Sequence, residues 1–274
     1  MSSIISRRRH PAAGYAAIAG GLVVVGVLYS TLAGGGASAA APAQDTTQTS
    51  QGHSLFVESC ATCHGLDAQG TSVAPSLIGA GAAAVDFQMS TGRMPAKELG
   101  AENDRKPSDF TPAEIQDIAS YVASLGGGPA VPDANQVSTA GANTALGQVL
   151  FSTNCAQCHG FAGAGGALTY GKNAPSLNAA TPTQIYEAML TGPEAMPVFP
   201  DGTVTSSEKK DIIGYIIATR EEANPGGFSL GRTGTVSEGL LAWLGGLGFL
   251  VLIAMWLTAK RKDRVVHGGE DQLL

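Results

Sequence analysis

Two copies of a short cysteine–histidine pattern are the residues whose types and spacing most clearly suggest chemistry. The copies are Cys60-Ala61-Thr62-Cys63-His64 and Cys155-Ala156-Gln157-Cys158-His159. Two thiols three positions apart lie about one helical turn apart, so they can reach the two vinyl groups on one edge of a haem, and the next residue then places its imidazole under the iron. The pattern therefore predicts two covalently bound haem c groups, attached through the four cysteines, with His64 and His159 as iron ligands.

Three other kinds of site use closely spaced cysteines. A zinc site needs more Cys or His side chains than the three that each copy supplies. A thioredoxin-like redox site needs a βαβ context, which the sequence does not show. Structural disulfides would not require the adjacent histidine. Because the pattern recurs inside a longer repeat, haem attachment is the interpretation that the sequence favours.

The second axial ligand of each iron is predicted to be a methionine. Met94 and Met196 each precede a proline and lie just after a Thr-Gly turn, at matching places in the repeat. A thioether ligand raises the reduction potential of haem iron, which suits electron transfer. Packing in the core is the alternative role for a methionine. Met89 and Met189 lie in equivalent regions, but out of exact register and without the proline, and are predicted to be packing residues.

The two motifs lie in two copies of one plan. Gly52 and Phe56 recur 95 residues later as Gly147 and Phe151, which is also the offset between the motifs. Other repeated positions are Pro75-Ser76-Leu77 with Pro175-Ser176-Leu177, Glu114 with Glu208, and Tyr121 with Tyr215. The repeat predicts two tandem domains of the same fold.

Helix signals open and close each copy. Thr111-Pro112-Ala113-Glu114 and Thr205-Ser206-Ser207-Glu208 are capping boxes, each followed by isoleucines at helical spacing. The stretches 54–59 and 147–154, before the two motifs, are further helix candidates. No segment sustains the alternation of apolar and polar residues that a strand would show. The predicted fold class is mainly α, with long glycine-rich loops.

The composition excludes several classes of protein. Charged residues make up 14% of the 274 residues and the net charge is −6, so the chain lacks the basic surface that nucleic-acid binding requires. The hydrophobic content of 44% allows a buried core but is too low for a transporter with many spans. Residues 34–239 contain 19 acidic and 9 basic residues, a net charge of −10. Because each copy has only about 80 residues, we expect a haem to supply much of its core.

An apolar run near the C-terminus predicts a transmembrane helix. Residues 240–259 carry no charge and are just long enough to cross a hydrocarbon core of about 30 Å, with Trp243 and Trp256 near the two ends. Four basic residues follow between Lys260 and Arg264, which places that end in the cytoplasm by the positive-inside rule. A buried core helix is the alternative for this run.

A second apolar run, from about Tyr15 to Leu32, lies near the N-terminus between Arg7-Arg8-Arg9 and Ala37-Ser38-Ala39-Ala40. Two interpretations stay open: a signal peptide cleaved at the small residues, or an uncleaved anchor. The run exceeds the usual apolar region of a signal peptide, about 7–15 residues, which favours the anchor. The predicted location is therefore the cell membrane, with one or more spans and the haem domains on the extracytoplasmic side.

At these residues the sequence resembles two class I cytochrome c domains in tandem. In that family the residues matching the repeated glycine and phenylalanine lie on the N-terminal helix of a domain. They pack against an aromatic residue on its C-terminal helix, here Tyr121 and Tyr215. The proline carbonyls matching Pro75 and Pro175 orient the proximal histidines through their other ring nitrogen.

The chain as a whole resembles the dihaem cytochrome c subunit of the actinobacterial cytochrome bcc complex, a quinol–cytochrome c reductase. The match covers about Gly52 to Lys260. Its most specific stretches are Phe87-Gln88-Met89-Ser90-Thr91-Gly92-Arg93-Met94-Pro95, Met189-Leu190-Thr191-Gly192-Pro193-Glu194-Ala195-Met196-Pro197 and Pro225-Gly226-Gly227.

The resemblance implies a membrane-anchored carrier in aerobic respiration that takes electrons from a Rieske iron–sulfur centre. It implies that the carrier passes them to the copper centre of an aa3-type haem–copper oxidase, with a cytochrome b subunit as a further partner. The first haem would accept electrons and the second would donate them, and the chain alone would perform no substrate chemistry. Two other functions remain alternatives: a dihaem peroxidase, which needs a displaceable iron ligand, and the cytochrome c subunit of an extracytoplasmic dehydrogenase.

Shifts in composition divide the chain into segments. The predicted order is an N-terminal basic segment with a signal or transmembrane helix at 1–36, a linker at 37–51, cytochrome c domain 1 at 52–125, a linker at 126–144, cytochrome c domain 2 at 145–222, a stalk at 223–239, a transmembrane helix at 240–259 and a cytoplasmic tail at 260–274.

Overall fold

The computed structural model describes residues 11–32, 46–100, 102–222 and 235–268. The chain forms two units, residues 1–45 and residues 46–274. The described residues of the first unit form one helix, α1 (Pro11–Leu32). Three predicted features lie outside the described residues: Arg7-Arg8-Arg9, the small residues at 37–40, and Pro225-Gly226-Gly227.

The second unit is mainly helical, which confirms the predicted fold class. Its helices are α2 (Thr46–Ser59), α3 (Ala61–His64), α4 (Ala82–Ser90), α5 (Pro112–Ser124), α6 (Ala134–Val137), α7 (Thr144–Asn154), α8 (Ala156–His159), α9 (Pro182–Thr191), α10 (Ser206–Glu221) and α11 (Thr235–Gly268). Strands β1 (Gly166–Ala167) and β2 (Asn173–Ala174) pair antiparallel across a 3-10 turn at Thr169–Gly171. Helix α2 begins within the segment predicted as the linker 37–51, and α6 lies within the predicted linker 126–144.

In the first domain, α2 crosses α5 at very short range. A side chain on Gly52 would overlap the backbone carbonyl of Asp117, so only glycine permits this approach. One turn further along α2, Phe56 is fully buried and its ring centroid lies 5.2 Å from that of Tyr121 on α5. This contact confirms the packing expected between the N-terminal and C-terminal helices of the domain.

The second domain repeats this crossing between α7 and α10. A side chain on Gly147 would overlap the carbonyl of Asp211, and the ring centroids of Phe151 and Tyr215 lie 5.4 Å apart. The repeated glycine and phenylalanine therefore have the same physical role in both domains, which is to let two helices approach closely and to fill the space beside the crossing.

Capping boxes set where the main helices begin. At α10, the Thr205 hydroxyl accepts from the Glu208 N–H at 3.3 Å, and the Glu208 carboxylate accepts from the Thr205 N–H at 2.7 Å. The predicted box at Thr111 and Glu114 is also present at the start of α5. Two further boxes, which were not predicted, begin other helices: Thr181 with Gln184 at α9, and Asp133 with Gln136 at α6.

The two domains contact each other through α4 and α9. Gln184 Nε2 on α9 donates to Ser90 Oγ at the end of α4, at 3.0 Å. Asp86 lies one turn before Ser90 on α4, and Glu187 lies nearly one turn after Gln184 on α9. The two helices therefore run antiparallel across the contact and place Asp86 opposite Glu187.

Helix α11 contains the predicted transmembrane segment. Residues 239–259 have a mean hydropathy of 2.3, and none of that apolar stretch is buried within the structure. The alternative of a buried core helix is therefore not supported. Within the described ranges, α11 is the one helix long and apolar enough to cross a membrane, whereas α1 carries a shorter apolar stretch at residues 14–28.

Candidate haem sites

The first cysteine–histidine motif lies directly after α2. The short helix α3 turns the chain so that the N–H groups of Cys63 and His64 both bond to the Cys60 carbonyl, at 3.2 and 3.0 Å. Cys60 is half-buried, Cys63 is exposed, and His64 is 9% exposed. Burial, together with the neighbouring Cys63, raises the pKa of the Cys60 thiol to about 11. The motif thus presents an inner and an outer thiol beside one buried imidazole.

The second motif has the same geometry. The N–H groups of Cys158 and His159 bond to the Cys155 carbonyl at 3.1 and 2.9 Å. Cys155 is half-buried and Cys158 is exposed, and burial with Cys158 nearby raises the pKa of the Cys155 thiol to about 11. None of the chain's four cysteines, all of which lie in the described ranges, forms a disulfide.

A backbone carbonyl orients each motif histidine. His64 Nδ1 lies 2.8 Å from the Pro75 oxygen, and His159 Nδ1 lies 3.0 Å from the Pro175 oxygen. Because a carbonyl can only accept, Nδ1 is assigned the proton and Nε2 keeps its lone pair for a metal ion. Burial also lowers the pKa of His159, which favours the neutral ring. These are the contacts expected of Pro75 and Pro175 from the family resemblance.

The first motif opens into a cavity of about 200 Å³ that is open to solvent on one side. The residues that line it are Ser59, Cys60, Cys63, His64, Val73, Ala74, Pro75, Met89, Met94, Pro95, Ala96, Glu98, Leu99, Gly100 and Asn103. The structure therefore brings both predicted attachment cysteines and both predicted axial ligands of the first domain to one cavity.

Two methionines line this cavity, and they differ in their surroundings. Met94 is half-buried in the loop after α4, where its N–H bonds to the Gln88 carbonyl at 3.0 Å. Met89 lies within α4 and is 4% exposed, as part of the core. The prediction that Met89 packs in the core is confirmed, although its place in the cavity wall was not foreseen.

The second domain separates its two methionines in the same way. Met189 is 3% exposed and lies in the core on α9. Met196 lies in the loop after α9, half-buried against that core. In both domains the methionine that precedes a proline is thus the loop residue, and its partner in the preceding helix is the packing residue.

The two methionine loops meet at the contact between the domains. Arg93, directly before Met94, is buried, and its Nε lies 3.8 Å from Oε1 of Glu194, two residues before Met196. The Arg93 guanidinium also lies over the Phe87 ring, 5.2 Å from its centroid. Neither Arg93 nor Glu194 was predicted from the sequence to belong to a functional site. The signal in the sequence is that equivalent loops of the two copies carry opposite charges beside their methionines.

Comparison with known proteins assigns the chain to a family. The family model "Cytochrome c" matches residues 49–126, and the model "Cytochrome C oxidase, cbb3-type, subunit III" matches residues 142–216. A "Cytochrome bc1 complex cytochrome c subunit" of Corynebacterium efficiens is 42% identical over 269 residues, which cover 92% of this chain and 90% of the relative. The chain belongs to the family of cytochrome bc1 complex cytochrome c subunits.

Other relatives agree with this assignment. The subunit of the same name from Mycobacterium leprae is 43% identical over 245 residues, covering 87% of this chain and 85% of the relative. The "Cbb3-type cytochrome c oxidase subunit CcoP" of Rubrivivax gelatinosus is 32% identical over 133 residues, covering 46% of this chain and 39% of that protein. As a family member with two cytochrome c domains, the chain binds two covalent haem c groups and serves electron transfer in a membrane-bound bc complex.

The residues of each domain fit a haem c group. Each motif supplies two thiols one turn apart and a buried imidazole whose Nε2 is available to a metal ion. In each domain a methionine loop packs beside the same core. The imidazole and the methionine thioether are axial ligands of the kinds that c-type haem iron uses, and the two thiols are placed to bond to the haem vinyl groups. The proline carbonyls act behind the histidines, where they fix the orientation of the ring.

Proposed function

We propose that the chain is a membrane-anchored dihaem carrier that accepts electrons from a Rieske iron–sulfur centre of a quinol-oxidising bc complex. It passes them to the copper centre of an aa3-type haem–copper oxidase. The cytochrome b subunit, the Rieske subunit and the oxidase are its partners. Bound haem supplies a one-electron iron couple, and the residues of the chain hold it, orient its ligands and limit its exposure to water.

One observation carries this proposal: the two domains contact each other at their methionine loops. The Arg93–Glu194 pair lies one residue from Met94 and two residues from Met196. A chain that relays electrons between two partners needs its two redox centres close together, and this contact between the two methionine loops supports such an arrangement. The match of residues 142–216 to an oxidase subunit supports the second domain as the one that faces an oxidase.

We assign one role to each predicted site residue. Cys60 and Cys63 attach the first haem, and Cys155 and Cys158 attach the second. His64 and Met94 are the axial ligands of the first iron, and His159 and Met196 are those of the second. In each domain the first cysteine directly precedes a short helix, which holds the second cysteine and the histidine, and the methionine lies in the loop after α4 or α9.

We further propose that cytochrome c domain 1 (52–125) and cytochrome c domain 2 (145–222) lie outside the cytoplasm. The basic residues after the span at 240–259 place the tail at 260–274 inside, because cytoplasmic flanks carry an excess of Lys and Arg. The N-terminal basic residues place the first 10 residues on the same side if α1 is retained as an anchor.

The ligand assignment is tested by the near-infrared absorption band of methionine-ligated ferric haem. Met94→His and Met196→His should each remove about half of the band, and the double variant should remove it all. The matched controls are Met89→Leu and Met189→Leu, which change the packing methionines and should keep the full band. A band that survives in both histidine variants would overturn the assignment.

The relay is tested on the complex purified in mild detergent. Quinol added without oxygen should reduce both haems of this chain, and oxygen should reoxidise them only when the oxidase has copurified. Copurification with a dehydrogenase in place of cytochrome b and Rieske subunits would overturn the proposal. Rapid binding of carbon monoxide or peroxide by the native chain would instead support a peroxidase.

A further inference from the structure

The loop that carries Met94 belongs to the cavity of the first domain but is held by the second domain. Met94, residues 98–100 and Asn103 line the cavity. The same loop then continues into three contacts with the second domain. Asn103 N–H donates to Glu194 Oε1 at 2.8 Å, Arg105 Nη1 donates to Gln184 Oε1 at 3.1 Å, and Asn173 N–H donates to Glu102 Oε2 at 3.1 Å.

A single carboxylate oxygen contacts the loop at two points, one on each side of Met94. Oε1 of Glu194 lies 3.8 Å from Arg93 Nε and 2.8 Å from Asn103 N. The loop between Arg93 and Asn103 is therefore closed at both of its ends by one atom of the other domain. The Arg93–Glu194 pair is largely withdrawn from water, with side chains 8% and 19% exposed, whereas the hydrogen bond from Asn103 lies at an exposed position.

Glu194 lies in the turn that leads to Met196. Its φ is +56°, in the left-handed region that glycine favours. The turn is closed by a hydrogen bond from the Met196 N–H to the Pro193 carbonyl at 3.0 Å, so the backbone of Glu194 belongs to the methionine loop of the second domain. Its side chain instead bonds to the loop of the first domain.

We propose that Glu194 is a positioning residue for the haem site of the first domain, where it keeps the Met94 loop closed over the cavity. The inference rests on the proposed ligation of the first iron by Met94. It adds that the second domain is a structural part of the first haem site, so the geometry of that site depends on both domains.

The test uses the full chain with the substitution Met196→His as the parent, in which the remaining near-infrared band reports Met94 alone. In this parent, Glu194→Ala should weaken the band and should raise the fraction of ferrous haem that binds carbon monoxide about tenfold. Tenfold corresponds to about 1.4 kcal/mol, the scale of one charge-assisted hydrogen bond. Glu194→Gln keeps an acceptor for Asn103 and loses the charge, so its effect should lie between the parent and Glu194→Ala.

The matched control is Glu221→Gln, which removes an exposed carboxylate of the second domain at the end of α10, away from the residues that line the cavity. It should leave the band and the carbon monoxide fraction at the parent values. The inference is overturned if Glu194→Ala and Glu194→Gln change them no more than Glu221→Gln does, even where they lower the thermal midpoint. A parent without any band would overturn the ligation by Met94 itself, which separates failure of the proposed function from failure of the positioning role.

Discussion

Gly52 lies so close to Asp117 that a methyl group on residue 52 would overlap the Asp117 carbonyl oxygen. Because the obstacle is backbone, it cannot move aside as the end of a flexible side chain could. Gly52→Ala must therefore separate α2 from α5, and we expect it to lower the free energy of unfolding by about 1–3 kcal/mol. Thermal unfolding of the haem-loaded protein measures this loss.

The equivalent substitution Gly147→Ala should have a similar effect in the second domain, since its side chain would overlap the Asp211 carbonyl. The control is Gly127→Ala, where an added side chain would meet no described atom within 4 Å. Equal thermal midpoints for Gly52→Ala and Gly127→Ala would contradict the close crossing.

The stability of the contact between the domains should fall as the pH rises. Glu187 is fully buried, and burial together with the Asp86 carboxylate raises its pKa from 4.5 to about 10. Between these two values the folded chain keeps a proton that the unfolded chain has lost, so the free energy of unfolding decreases with increasing pH.

Glu187→Gln should remove this dependence. We expect the thermal midpoint of the native chain to drop between about pH 5 and about pH 9, and that of Glu187→Gln to drop less and to be higher at the alkaline end. Glu98→Gln, at an exposed carboxylate, should follow the native profile. Parallel profiles for the native chain and Glu187→Gln would show that Glu187 does not hold the extra proton.

Loss of one haem should unfold one domain. The double substitution of Cys60 and Cys63 by alanine leaves the cavity beside His64 without its covalent group, in a domain too small to be stable around such a void. We expect half of the native haem content and rapid proteolysis within residues 52–125. The same change at Cys155 and Cys158 should move the cleavage to residues 145–222. A protease-resistant first domain without haem would contradict this expectation.

Lys209 should tolerate an apolar replacement better than the loss of its partner. Its ammonium is fully buried and donates to Asp201 at 2.6 Å and to the Val204 carbonyl at 2.8 Å. Lys209→Met removes a buried charge and keeps the volume, so the free energy of unfolding should stay within about 1 kcal/mol.

Asp201→Asn instead leaves the charge buried without its counter-charge. This should cost about 2 kcal/mol, less than for an enclosed pair because the Asp201 side chain is 67% exposed. Denaturant unfolding of the two variants decides between these outcomes. A larger loss for Lys209→Met than for Asp201→Asn would show that the ion pair itself provides net stability.

The features that spacing alone predicts are those encoded over short distances along the chain, whereas the contact between Phe56 and Tyr121 was expected from the family resemblance. The thiols and imidazole of Cys60 and His64 lie within one turn, and the capping box of Thr205 and Glu208 spans three positions. The repeat provides further information, because a residue that recurs in both copies, such as Gly52, indicates a structural constraint that one copy alone would not reveal. The helices that begin with the capping boxes at Thr111 and Thr205, and the two cysteine–histidine motifs, could therefore be predicted from local spacing together with the repeat.

The contact between the domains could not be predicted in this way. Its hydrogen bonds join Asn103 to Glu194 and Ser90 to Gln184, residues 91 and 94 positions apart. No periodicity links such residues, since the loops of the two copies differ in length and only the folded chain sets which of them meet. For the same reason the buried carboxyl of Glu187 was not foreseen: on α9 it lies among apolar neighbours, and its partner Asp86 is in the other domain.

The acceptors behind His64 and His159 are peptide carbonyls of Pro75 and Pro175, and neither is a carboxylate. A peptide carbonyl neither gains nor loses a proton at any pH that a cell experiences. The group that orients each imidazole is consequently the same in an acidified medium as in a neutral one. If the haem domains lie outside the cytoplasm, as proposed above, the contact behind each histidine does not change when that medium becomes acidic.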